Sequence, residues 1–573
     1  MIWWYLRDLR RHKEERVALN ELVQRVDWLQ PVGWQIDDQA RLVFESDIRV
    51  AERVYHTRLL YPETFPHSPP YVLPRDGAER WSGHQYGAGG ELCLQYRADN
   101  WTPDIMGFQM IESAYRLLAG ENPAASQRGV VPSAHRLSAG QELRSEFRRF
   151  VLTRNVRAML DAMTAGEHRL GTGIVHFREH GFVYRISTMN DAEGVQWTDR
   201  SAPSSLMFEG SEASASIVRI APSATFPPPA SLAEFDSAAA KLGCDVSADI
   251  VVILREQQMR VYRRLSSTSS VQSLPVVEPQ HLENRLGAGY ELLRSKRVGI
   301  VGCGSLGSKI ATMLARAMVG KFLLVDDDLL LPDNLVRNDL DWRDVGLNKA
   351  DALALRLGYA NVETEVRKYR QQLGGQEAAS SVEVVLSDLA SCDLVIDTTA
   401  NPVALNFISG VVVEAGKPVI WAEVFAGGFA GLIARARPSI EPPIQYMRRA
   451  IENWFADKQW PPVRAAAQYD RDTEGPPMVA DDADVTSIAA PAARLAIDCL
   501  LGRTPSYFPH SVYVIGLSPG PGIEEPFETY PIELDQPSAN PMKPPLAEAE
   551  RDEEFEFLGK LFREKQSDES SST

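Results

Sequence analysis

The stretch Arg297-Val298-Gly299-Ile300-Val301-Gly302-Cys303-Gly304-Ser305-Leu306-Gly307-Ser308 constrains this chain more than any other. An apolar strand runs straight into G-x-G-x-x-G. A helical pattern follows from about Ser308 to Val319. A second apolar strand, Lys321 to Val325, then ends in Asp326, 24 residues after Gly302. Glycines in such a loop let a phosphate chain approach the backbone. The helix N-terminus supplies amide donors and a positive dipole end, and the distal acid can hold a ribose hydroxyl. Alone, the motif can be a tight strand-to-helix turn. With both strands, the helix and the acid in place, it predicts a nucleotide site in a Rossmann-like α/β domain.

The residues that follow narrow the nucleotide. They read Asp326-Asp327-Asp328, then Pro332-Asp333-Asn334-Leu335-Val336-Arg337-Asn338, then Asn348-Lys349. A dehydrogenase needs one acid here. A run of acids followed by N-x-x-R and a lysine suits a triphosphate under attack better than a nicotinamide, because amide and cationic groups stabilise phosphate charge. Taken singly, Arg337 and Lys349 are also ordinary surface charges.

From about Arg285 to Leu501 the pattern resembles the ThiF, MoeB and ubiquitin-activating family, which adenylates the C-terminal carboxylate of a small protein. The resemblance implies ATP and Mg2+, and it implies roles. Gly302, Gly304 and Gly307 would form the phosphate loop, with Asp326 on the ribose and Asp328 beside it among the nucleotide-binding residues. Asn334, Arg337 and Lys349 would contact phosphates. Arg285, in Glu283-Asn284-Arg285, looks like the family's arginine supplied across a homodimer. One departure stands out. The family shows D-x-x-D-N after its fourth strand, and the second acid handles magnesium. Here Asp397 matches the first acid and Ala400 stands at the second. Either Asp397 takes the metal, or the phosphates hold it; magnesium keeps waters and uses one or two carboxylates.

A second motif set lies upstream. It comprises Phe65-Pro66 and Pro69-Pro70, then Gly90-Glu91-Leu92-Cys93-Leu94, Trp101-Thr102-Pro103 and Asn122-Pro123. This order resembles a ubiquitin-conjugating domain, which implies that Cys93 carries a thioester. Thiolate is both a good nucleophile and a good leaving group. A lone cysteine beside leucine is otherwise a small buried apolar residue. The family's His-Pro-Asn is missing. Gly83-His84-Gln85-Tyr86 occupies the region, so either His84 or Gln85 is the candidate oxyanion donor.

The expected architecture has four parts. Residues 1–130 form an α+β conjugating-like domain and 131–280 an α/β connecting domain. Residues 281–530 form the α/β adenylation domain, and 531–573 a Pro-rich, then acidic tail. Residues 1–27 read as one amphipathic helix, and a second helix is expected over Pro103 to Leu118. In the connecting domain, a helix is expected over Gln141 to Met163 and strands over Gly173 to Ile186 and Ile250 to Arg255. Ser266 to Ser273 reads as a linker. In the tail, Glu553 to Lys565 reads as a short helix whose Phe555, Leu558 and Phe562 stripe packs on the body, followed by a disordered end. With 60 basic and 77 acidic residues the net charge is −17, which disfavours nucleic acid and anionic membrane as partners. No apolar run of 18 residues occurs, and Arg7 and Asp8 interrupt the N-terminal apolar start too soon for a signal peptide. Five scattered cysteines without a C-x-x-C pair suit a reducing cytoplasm.

Conjugating module, linker, then activating module resembles the fused enzymes of bacterial CBASS antiphage operons. That implies a partner protein whose C-terminus is activated, either a CD-NTase or a ubiquitin-like protein. Activating enzymes of this type usually carry a second thiol. The expected loop, Glu452 to Asp484, has none, and Cys499 lies in a helical apolar pattern that reads as packing. Direct transfer from AMP to Cys93, a replaced residue, or an oxygen nucleophile such as Ser538 all fit. Two other functions fit parts of the pattern: a non-catalytic scaffold that binds ATP and a protein tail, and a sulfur-carrier activator.

Overall fold

The computed structural model describes residues 3–121, 140, 143, 146–278, 285–458, 480–534 and 547–571, apart from positions 78, 83, 87, 88, 180, 192, 204, 205, 207, 208, 227, 228, 230, 266–269, 376, 426, 439 and 521. The chain divides into two compact units, Met1–Ser145 and Glu146–Thr573.

In the first unit, four antiparallel strands pair in chain order: Leu29–Ile36, Leu42–Val50, Arg53–Leu60 and Tyr71–Pro74. Leu19 and Leu22 of helix Leu9–Arg25 share a core with Met110, Ile111 and Leu118 of helix Gly107–Glu121 and with Phe44, Ile48 and Leu59 of the sheet. The single helix expected over residues 1–27 is two, Trp4–Arg7 and Leu9–Arg25. Asp8 makes the break, because its carboxylate accepts from Arg11 N at 2.9 Å and caps the second helix. A buried carboxylate ties the elements together. Glu15 accepts from Tyr61 Oη and from Gly107 N, each at 2.8 Å, and pairs with Arg11 at 2.9 Å.

The second unit holds two sheets. In the connecting domain, the helix expected over Gln141 to Met163 gives way to strand Arg148–Val151 and a short helix, Arg154–Asp161. The backbone amides of Phe150 and Leu152 donate to Pro275 and Val277 at 2.9 and 3.0 Å, so ladder pairing overrides the helical spacing. Thr153 then starts the helix by accepting from Val156 N. The strand expected over Gly173 to Ile186 is a hairpin of His168–Arg178 and Gly181–Asn190. Strand Ile250–Arg255 lies where expected and is buried along most of its length. Part of the expected linker is an edge strand, Ser270–Leu274, paired with Gln258–Leu265. Its polar residues suit an edge, where one side of the ladder meets water.

The second sheet is doubly wound. Its strands and helices run β1 (Arg297–Val301), α1 (Ser305–Arg316), β2 (Lys321–Val325), α2 (Lys349–Ala360), β3 (Glu365–Tyr369), α3 (Ala379–Ala390), β4 (Leu394–Asp397), α4 (Pro402–Ala415), β5 (Val419–Phe425), β6 (Ala430–Ala436), α5 (Ile444–Asp457), α6 (Asp482–Leu500), β7 (Val512–Gly516) and β8 (Thr529–Pro531). The spatial order is β3-β2-β1-β4-β5-β6-β7-β8. The first five are parallel and the last three antiparallel. Apolar side chains of α1, α2 and α6 share one core, and those of α3, α4 and α5 share the other. The strand order reverses between β1 and β4, and the C-terminal edge of the sheet at that point is where such folds place ligands.

The tail helix is longer than expected, Glu548–Ser571, and takes in residues expected to be disordered. Phe555, Leu558 and Phe562 are 64%, 44% and 69% exposed, so this stripe does not pack on the body as expected. Among the described residues, no helix is long and apolar enough to cross a membrane.

Candidate active site

The phosphate loop is dictated by backbone geometry. Gly302 leaves β1 at φ +88°, a conformation that L side chains rarely adopt. A Cβ on Gly307 would run into the Gly302 carbonyl oxygen, so only glycine lets α1 pack this close to the strand end. Gly304 caps α1, and a Cβ there would meet nothing within 4 Å, which leaves open space above the loop. Among the described residues, no side-chain cap bond forms at the start of α1. The first amides there remain available to an anion.

Three segments converge on this loop. Asp326, at the end of β2, accepts from Cys303 N at 2.6 Å and from Asp328 N at 2.9 Å. Burial raises its pKa, while those two amides oppose the shift. Lys349 heads α2 and is only 8% exposed. Its ammonium pairs with Asp328, and its backbone amide donates to the Asp328 carbonyl at 2.9 Å. Asn334 caps the turn Pro332–Val336 by accepting from Leu331 N at 3.0 Å. Arg337 follows it, half-buried. Asn338 is buried, and its side-chain amide donates to Cys303 O at 3.4 Å. The sequence alone assigns Asn338 no role. Its position directly after the N-x-x-R element was the available signal. Arg285 is an exposed residue of the segment leading into the domain, and Glu283 and Asn284 lie outside the described residues.

On the other side of the loop, Asp397 ends β4 beside Val301 in the parallel register. Thr398 Oγ1 donates to Gly302 O at 2.7 Å and fastens the two strand ends. One oxygen of Asp397 accepts from Thr399 N and Oγ1 at 2.9 and 2.7 Å. Burial pushes the Asp397 carboxyl up to about 6. Ala400 sits at φ +52°. Asp397 also lines a cavity of about 430 Å3 bounded by β5 and α5, where sequence reasoning placed no site. Glu423 and Arg448 face it. Burial, then the Asp397 charge, push Glu423 up to about 7, opposed by Arg448. A lone acid between Trp421 and Phe425 in an apolar strand was a readable signal, because such strand faces rarely bury an unpaired carboxylate.

Cys93 belongs to the first unit and follows the short pairing of Gln85–Tyr86 with Glu91–Leu92. Its amide donates to His84 O at 2.7 Å. Burial raises its thiol pKa and the nearby Arg97 charge opposes the rise. Gln85 is a clamp. Its oxygen accepts from the amides of Trp81 and Ser82, and its nitrogen donates to Gly90 O at 2.8 Å. His84 Nε2 lies 3.6 Å from Glu121 Oε1. The other four thiols are less suited to nucleophilic work. Cys303 is buried and driven well above the usual thiol range by burial. Burial also pushes Cys392 up to about 12, and Cys244 and Cys499 up to about 11. Ser538 and most of the expected crossover loop lie outside the described residues.

Residues 281–445 match the model of the ThiF family, so a ThiF-type domain is present in this chain. The ATP-dependent ubiquitin transferase-like protein Cap2 of Pseudomonas aeruginosa (strain BWHPSA011 / Pa011) is 29% identical over 162 residues, 27% of this chain and 28% of that protein. The adenylyltransferase and sulfurtransferase UBA4 of Eremothecium gossypii is 36% identical over 134 residues, 23% of this chain and 29% of that protein. Ubiquitin-like modifier-activating enzyme 5 of Drosophila simulans is 34% identical over 140 residues, 21% of this chain and 35% of that protein. The chain therefore spans about a third or less of these curated relatives. Among solved structures, E. coli MccB with MccA-N7isoASN covers 44% of this chain and 68% of its own at 18% identity and a TM-score of 0.33.

Proposed function

We propose that this chain adenylates the C-terminus of a partner protein and receives the activated acyl group as a thioester on Cys93. The observation that carries the adenylation half is the convergence of Asp326, Lys349, Asn338 and Asp397 on one glycine loop inside the ThiF match. In the proposed reaction the tail carboxylate attacks the α-phosphorus of ATP, the bond to the bridging oxygen breaks, and pyrophosphate leaves. The open loop and the α1 amides receive phosphate oxygens. Asp326 accepts from ribose, with Asp328 beside it. Lys349 and Arg337 neutralise charge developing on the phosphates, and the Asn334 amide donates to a phosphate oxygen. Asp397 fits a magnesium ion, because one carboxylate oxygen is committed to Thr399 and the other has no hydrogen bond among the described residues. When bound, the metal would neutralise phosphate charge.

In the second step the Cys93 thiolate attacks the acyl carbon and AMP leaves. A nucleophile on the target then displaces the thiolate. Cys93 is the thiol best suited to this, since the other four are buried or lie at about 11 or above. Covalent linkage of the two modules raises the effective concentration of one for the other. Homodimerisation through the ThiF-type domain belongs to the same reading. Leu329, Leu331, Val336, Trp342 and Leu347 are exposed around the N-x-x-R element and suit an isologous contact that brings Arg285 to a neighbouring site. The CBASS resemblance assigns a CD-NTase as the activated partner and the cytoplasm as the place of action.

The test is incubation of the full chain with ATP and a candidate partner. Pyrophosphate exchange dependent on a free C-terminus and a thiol-labile adduct on Cys93 are expected. Exchange without any adduct leaves the sulfur-carrier reading. Nucleotide binding with neither leaves the scaffold reading.

A further inference from the structure

The nucleotide does not account for the cavity beside Asp397. The ribose-side acid, Asp326, ends β2, on one flank of the loop, whereas Asp397 and the cavity lie on the other flank, at β4 and β5. A nucleotide with its ribose at Asp326 and its phosphates over α1 leaves the β4–β5 side for the carboxylate that attacks it. The cavity opens there. Trp421, Phe425 and Phe455 supply apolar wall. Its charged groups are Asp397, Glu423 and Glu452 against the single Arg448, whose guanidinium donates to Asn406 Oδ1 at 3.3 Å. Among the described residues, no hydrogen bond or ion pair reaches the Glu423 carboxylate. An aromatic wall where three carboxylates face one arginine suits a long aliphatic side chain that ends in a cation.

We propose that this cavity takes a lysine or arginine side chain of the activated tail, held by Glu423, and that it rejects an acidic side chain at that position. This deepens the adenylation reading and rests on it. Spacing sets the position. Asp397 pairs with Val301, one residue before the loop, and Trp421 pairs with Asp397, so Glu423 lies two strand spacings across and two residues along. Strands sit about 4.8 Å apart, and an extended residue spans about 3.3 Å. The basic residue therefore falls two or three places before the tail's terminal carboxylate. A volume of about 430 Å3 holds one such side chain with its main chain.

The probe is a set of synthetic decapeptides with free C-termini, identical except for Lys, Arg, Leu or Glu at the third residue from the end. Binding to the full chain is measured by calorimetry without ATP, and pyrophosphate exchange is measured separately. Lys and Arg peptides are expected to bind at least ~10-fold tighter than the Glu peptide, the scale of a like-charge juxtaposition at an interface. Glu423→Gln should erase that preference while leaving the Leu peptide's binding unchanged, and Glu423→Arg should invert it. Equal binding of Lys and Glu peptides overturns the proposal, as does no binding of any peptide. So does a Glu423→Gln protein that keeps the preference, or one that loses exchange for all peptides alike. Exchange at equal rates on Lys and Glu tails sinks the pocket and spares adenylation. A Lys preference in binding with no exchange on any tail does the reverse.

Discussion

The phosphate loop and the Cys93 segment are built from different material. The loop works through backbone: a left-handed Gly302, a Gly307 with no room for a Cβ, and the amides at the start of α1. The Cys93 segment works through side chains, with Gln85 bridging Trp81, Ser82 and Gly90 while Arg97 tempers the thiol. A backbone site admits few sequences and announces itself as a motif. A side-chain site can exchange residues and lose its motif, as where Gly83-His84-Gln85-Tyr86 stands in place of the related pattern's His-Pro-Asn.

The sharpest break of this comparison is Cys93→Ala. It should abolish any thioester while ATP–pyrophosphate exchange stays at the parent rate. A thiol-labile adduct persisting in that variant, mapped by mass spectrometry, moves the carrier elsewhere. Lys349→Ala and Arg337→Ala come next. Each should slow exchange by ~10²-fold, the scale for a lost preorganised charge contact. Parent-like exchange in both would remove the phosphate roles.

The two sites should also separate by pH. Burial raises the Cys93 thiol, so thiolate is scarce at neutral pH. Single-turnover thioester formation should climb about tenfold per pH unit until pH passes the thiol's pKa, above the usual 9. Arg97→Ala should push that midpoint higher still. A pH-flat profile would mean that thiolate formation does not limit transfer. Mixing Arg285→Ala with Gly304→Val protein should recover a several-fold gain in exchange over either alone, if the dimer shares its sites. Position 304 has the space for a side chain, so the second variant should fold. A fully active monomer by light scattering would end the shared-site idea. The smallest effect expected is Asn338→Ala, which should weaken nucleotide affinity about fivefold, since it removes one long neutral hydrogen bond to the phosphate loop and the bond its oxygen accepts from Leu340 N. A loss of 100-fold would mean that Asn338 touches the nucleotide itself.

The same contrast explains what the sequence disclosed. β1, the loop and β2 were legible because apolar strands and obligatory glycines leave little choice, and strands Lys321–Val325 and Ile250–Arg255 fall where expected. Glu423 and Arg448 were not, because a strand and a helix 25 residues apart meet only once the sheet is wound. In the connecting domain, Arg148–Val151 carries a helix-like spacing yet pairs with Val276–Val277, a partner more than 120 residues away. The limits of the tail helix escaped for the opposite reason. Its acidic, Lys- and Glu-rich sequence favours helix by propensity, with little burial to fix its limits.

The bond from Cys303 N to Asp326 has a thermodynamic consequence. The carboxylate that would greet a ribose already grips the phosphate loop, so the empty loop is held near the shape a nucleotide requires. Little conformational entropy is then lost on binding, and association should be fast and only weakly temperature-dependent. Asp326→Asn, which keeps one acceptor oxygen, should slow association far less than Asp326→Ala, which lets the loop wander before the nucleotide arrives.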